Sequence, residues 1–155
     1  MIAGSSSRKA GVTAGRRLVS PDIMPTPIAG HGMNLVAHAI DGPLEINAIL
    51  FAVDGRHCLF VSFDLLFIGG ALELELRSAL SDRFGFEDRD ILLFASHTHF
   101  APPTDISLPA LGHCDGTYAR QVAETVIMLV ADLVQQEPAS YLLDVRQGQL
   151  SHSVN

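Results

Sequence analysis

Two histidines stand two residues apart, His97 and His99, in the stretch Phe94-Ala95-Ser96-His97-Thr98-His99-Phe100-Ala101-Pro102-Pro103-Thr104-Asp105. Neutral imidazole nitrogen is a good donor to a divalent transition metal, and zinc in particular. If the apolar run before them is a strand that continues through both, the period of two puts their side chains on one face. Two imidazoles there can reach one ion. A surface pair of histidines at a strand end also occurs with no metal at all. The position favours the metal, because sites in α/β sheets collect at the carboxyl ends of strands and a proline-rich loop follows this one. A catalytic zinc normally takes three protein ligands and a water, so the pair supplies at most two.

A few other residues could serve such a site. Asp64 is the single acidic group in the apolar run from 57 to 67. It is either a carboxylate that orients a ligand histidine by accepting its other ring proton, or a buried Asp satisfied by backbone donors at a strand end. His31, in Gly30-His31-Gly32, either lines the same pocket or is an exposed loop histidine. Asp105 reads as a turn residue, while His113 and Cys114 lie in the loop before the last helix. Nothing around His38, His57 or His152 marks them out. Cys58 sits in an apolar run and reads as a small buried hydrophobe, and two cysteines make no disulfide framework.

These residues must be held by elements that the pattern predicts. Residues 7–13 read as a short strand after a flexible start over 1–9. Pro21, Pro25 and Pro27 break regular structure, because each removes a backbone donor and fixes φ. Residues 44–53 read as a strand, Asp54-Gly55 as a hairpin turn, and 57–67 as a buried strand. Helical spacing of Leu72, Leu76, Ala79 and Leu80 predicts a helix over 71–84. Another strand is expected at 90–96. The best helix is 117–136, with Val122, Val126, Leu129, Val130, Leu133 and Val134 on one stripe that packs on the sheet. A last strand is expected at 140–150. Strands alternating with helices predict an α/β domain, and the hairpin makes its β-sheet mixed, with helices packed on it.

With 155 residues, the chain is read as a single domain spanning 1–155. Its 48% hydrophobic and 17% charged content can build a core. A formal net charge of −7 argues against nucleic acid as a partner, since phosphate binding needs a basic surface. A small-molecule or protein partner is expected instead. No run approaches the ~20 apolar residues of a transmembrane helix. The N-terminal stretch lacks the apolar segment of a secretory signal, so a cytoplasmic location is the expectation.

Two other His-X-His families fail on spacing. A metallo-β-lactamase-type pattern needs Asp and His two and three residues after the second histidine, where Ala101 and Pro102 stand. A barrel-type amidohydrolase carries its pair near the start of ~250 residues of barrel. The run ILLFASHTH (91–99) instead resembles the neutral, non-lysosomal ceramidase family, in which such a strand ends in an Ala-Thr-His-Thr-His-Ser-Gly-Pro-like motif. LFVSFDLL (59–66) resembles that family's strand with a buried Asp, which places Asp64. The helix from Thr117 and the late Gln147-Gly148-Gln149-Leu150 resemble the segment before its Asn-Arg-Ser motif, with Asn155 as the Asn.

That resemblance implies a zinc-dependent hydrolase acting on a linear amide C–N bond, ceramide or a related amide or ester, with zinc held by His, His, Glu and Tyr. His97 would be a zinc ligand. His99 would sit beside the metal as a catalytic residue that hydrogen-bonds the substrate or the attacking water. The other ligands would lie beyond Asn155, so the chain is expected to be the N-terminal portion of a ceramidase-type catalytic domain, inactive alone. Phe100-Ala101 replace the family's Ser-Gly, which bears on the substrate class. The alternative is a non-catalytic binding or assembly domain of the same fold. An incomplete fold exposes apolar surface, so a homo-oligomer is expected.

Overall fold

A computed structural model describes residues 3–147. Its centre is a five-stranded sheet in the order β6-β5-β4-β1-β7, formed by β1 (Ala3–Leu18), β4 (Glu45–Val53), β5 (Arg56–Phe63), β6 (Ile91–Ala95) and β7 (Ala139–Gln147). Three of the four pairings are antiparallel, and β5 with β6 is parallel. The mixed α/β class is therefore correct.

The hairpin between β4 and β5 turns at Asp54 and Gly55, with φ of 50° and 78°. Both lie in the left-handed region that the tight primed turn of a two-residue hairpin requires. Alternation then sets the faces. Ile46, Ala48 and Leu50 on β4, with Leu59, Val61 and Phe63 on β5, enter the main core. The same core takes Leu72, Leu76 and Leu80 of α1 (Gly70–Phe84) and Val122, Val126, Leu129, Val130 and Leu133 of α2 (Gly116–Gln135). Both helices thus cover one face of the sheet. Val134, expected on the buried stripe, is 44% exposed, one residue before the end of the helix.

The other face carries Phe51, Phe60 and Phe94 in a row across β4, β5 and β6, with ring centroids 5.4 and 6.0 Å apart. Ile49 and Phe94 on that face are 40% and 46% exposed.

Several boundaries differ from those read in the sequence. β1 is longer than 7–13 and starts at Ala3, within the segment expected to be flexible, because it pairs along one edge with β4 and along the other with β7. β5 ends at Phe63 rather than 67. Leu65 and Leu66 are buried, but as a loop under the sheet end. The proline-rich loop contains a small ladder of β2 (Thr26–Pro27) with β3 (Val36–Ala37). The end of the expected last strand, with Gln149, Leu150 and Asn155, lies outside the described residues. Among the described residues, no helix is long and apolar enough to cross a membrane.

Candidate functional site

Parallel strands β5 and β6 end side by side at Phe63 and Ala95, and Ser96 N donates to Phe63 O at 2.9 Å. The loops that follow them, 64–69 and 96–105, meet at this end of the sheet. Thr104 joins them. Its hydroxyl donates to Phe67 O at 3.0 Å and accepts from Gly69 N at 3.4 Å, and the residue is 4% exposed. A third loop docks on the second, with Ala29 N donating to Ala101 O at 2.9 Å and Gly30 N to Leu111 O at 2.7 Å. The Thr104 hydroxyl and backbone hydrogen bonds therefore fix these three loops, two of which bear the histidines.

β6 stops at Ala95, so His97 and His99 do not share a strand face. The correction has a local cause: His97 adopts φ 61°, the left-handed region, which ends the ladder and turns the chain. The rings converge all the same, with centroids 5.3 Å apart in an edge-on arrangement. His97 Nδ1–H donates to Leu66 O at 2.9 Å, since a carbonyl can only accept. In the neutral ring this leaves Nε2 with the free lone pair, the orientation that metal-binding histidines obtain from a carbonyl partner.

His31 joins the cluster from the Gly-rich loop. Its ring lies 5.4 Å from that of His99 and 6.0 Å from that of Phe100. Gly30 makes this possible: its φ is 83°, and a Cβ there would collide with His99 Nδ1. His31, His97, His99 and Phe100 are thus brought together. His97 and Phe100 are exposed and His99 is half-buried.

Asp64 lies at the end of β5, where its Oδ2 accepts from Glu45 N and its own N–H donates to Glu45 O, both at 3.0 Å. The partner that orients His97 is a backbone carbonyl, and Asp64 ties the start of β4 to the end of β5. Asp105 holds the start of α1, accepting from Gly70 N at 3.2 Å and from the Ser107 hydroxyl and N–H at 2.6 and 2.8 Å. The Ser107 hydroxyl, then its N–H, holds the carboxyl below its ordinary value. Burial pushes the Cys58 and Cys114 thiols up, so neither is an activated nucleophile.

Sequence reasoning missed two residues. Thr104 carries no signal of its own as a lone threonine after two prolines. Tyr118, on the buried stripe of α2, is 5% exposed, and its hydroxyl has no hydrogen-bond partner among the described residues. Burial, and secondarily the Asp64 carboxylate, pushes its phenol well above the ordinary value.

The residues present fit the beginning of a zinc site rather than a whole one. His97 offers an oriented nitrogen and His99 stands beside it, yet among the described residues no group of three His, Cys, Asp or Glu side chains is placed to hold an ion.

No protein-family model and no curated protein matches the sequence. Solved structures do. The neutral ceramidase from Pseudomonas aeruginosa superposes with a TM-score of 0.71 at 17% identity, over 83% of this chain and 22% of that one. A ceramidase complexed with C2 gives 0.66 at 17% identity, over 82% and 21%. The fold is that of part of a ceramidase, and the chain spans about a fifth of the length of these structures.

Proposed function

We propose that His97 and His99 belong to the zinc centre of an amide hydrolase of ceramidase type, completed by ligands from outside the described residues. The orientation of His97 carries this reading. A strained left-handed residue, held by a hydrogen bond from Nδ1 to Leu66 O, keeps Nε2 free at the end of the parallel pair. Strain of this kind costs of order 1–3 kcal/mol and collects at functional positions. The ceramidase-like fold supports the reaction class.

His97 Nε2 is the atom that would hold the metal. Zinc, when bound, polarises an amide carbonyl and lowers the pKa of a bound water to ~7. His99, 5.3 Å from His97 between ring centroids, is placed to hydrogen-bond the substrate or to hold a proton at its ring nitrogen. His31 and Phe100 flank the same cluster, with rings 6.0 Å apart. With two histidines and no third ligand among the described residues, this chain alone binds zinc weakly and hydrolyses amides negligibly.

The test is metal content by mass spectrometry after zinc loading at neutral pH, with His97→Asn as control because Asn tolerates the left-handed backbone. Up to one zinc per chain is expected, reduced at least about tenfold in the variant. Equal zinc in both proteins would sink the proposal. The missing third ligand favours a second reading, a binding or assembly domain that keeps the fold, and no zinc uptake by either protein would select it.

A further inference from the structure

The spacing of His97 and His99 is that of half a tetrahedral site. Their ring centroids lie 5.3 Å apart, with the ring planes at 84°. Two imidazoles on one zinc, with bonds of ~2.0–2.1 Å and an angle of ~109°, have ring centres about 5.2 Å apart. Nε2 is the available nitrogen in both rings. His97 Nδ1 is taken by Leu66 O, and His99 Nδ1 lies against Gly30, where even a Cβ would meet it. His97 is exposed, so a second molecule can reach the pair. The loops that carry the histidines also present Met33, Phe100 and Ile106, which are 61%, 78% and 80% exposed. Apolar side chains left bare in this way favour association.

We propose that a second copy of this chain supplies the missing ligands, so that His97 and His99 of two chains hold one zinc on a twofold axis. The inference rests on the reading of this pair as zinc ligands and names the partner that completes it. Among the described residues the chain has no third ligand of its own, whereas a second copy brings two more imidazoles at the same spacing. A twofold contact is isologous, so the exposed pair meets its own counterpart. Each chain carries a formal charge of −7, and a divalent cation at the contact offsets part of the repulsion between two of them. His31 also lies 5.4 Å from His99, but no hydrogen bond to a carbonyl fixes its ring as Leu66 O fixes that of His97. His31 is therefore a neighbour of the site and not a ligand. Four protein ligands make a closed zinc site with no position for a reacting water. The zinc-bridged dimer is thus an assembly form that carries out no hydrolysis.

The experiment is zinc titration of the metal-free chain at neutral pH, read by sedimentation and by X-ray absorption at the zinc edge. Expected are saturation at about half a zinc per chain and a shell of about four imidazole nitrogens. The sedimenting mass should at least double relative to the same chain in EDTA. His97→Asn and His99→Gln should each remove the mass increase and keep the parent's far-UV circular dichroism, while His31→Asn should behave like the parent. Saturation near one zinc per chain with no change in mass overturns the dimer and leaves the single-chain zinc reading standing. No zinc uptake by the parent overturns both. A mass increase that survives His99→Gln, or that His31→Asn removes, overturns the proposed ligand set.

Discussion

At Gly30 the chain passes so close to His99 that even a methyl group would meet the imidazole, and the backbone there is left-handed. Both constraints oppose any side chain. Gly30→Ala is expected to destabilise the protein by more than about 1 kcal/mol, read by urea denaturation. It should also displace His99 and shift its imidazole resonances more than those of His57, whose neighbour is Phe86. Equal stability to the parent would show that the loop yields freely and that the histidine cluster is not held by it. Much of the residue scale was legible. His97, His99 and His31 could be singled out from residue type and spacing, and Phe100 from the family resemblance, and the structure brings the four together. The way they meet could not be read. The left-handed turn at His97 is tied to a carbonyl 31 residues earlier in sequence, at Leu66, and no local pattern reports such a partner. Asp64 could be read two ways for the same reason, since its partner, the backbone of Glu45, lies across the sheet.

Between elements, one threonine does most of the joining at the site. Thr104 links the loop after β5 to the loop after β6 through two hydrogen bonds, and it is almost fully buried. Thr104→Val keeps the shape and leaves Phe67 O and Gly69 N without this partner. The expected cost is about 1–3 kcal/mol by chemical denaturation, with Thr104→Ser recovering most of it. A neutral Thr104→Val would mean that the two loops are held by packing alone. Elements with strong local signals were predictable to within a residue or so: the Asp54-Gly55 hairpin and both helices. The failures come from tertiary pairing. β1 runs to sixteen residues because it has partners on both edges, which its Ser-, Gly- and Arg-containing sequence does not announce. β5 stops early even though the apolar run continues, because burial of Leu65 and Leu66 is available to a loop as well as to a strand.

For the whole molecule, the asymmetry of the sheet matters most. One face is covered by α1 and α2, while the other leaves Phe94 and Ile49 substantially exposed beside Phe51 and Phe60. Contiguous apolar surface of this kind drives association. Sedimentation at micromolar concentration is expected to give a mass above that of one 16.6 kDa chain, and Phe94→Lys to lower it. A monomer in both cases would count against the expected oligomer. The sheet order has a kinetic consequence as well. β1 takes as its partner on one edge β7, whose residues such as Leu142 pair with Lys9 from more than a hundred positions away. Closing so long a loop is entropically costly and slows folding. During synthesis β1 can dock on β4 early, but its other edge stays bare until the last helix has emerged. That interval is when a nascent chain is most open to a chaperone, or to a neighbouring ribosome's product offering the same strand.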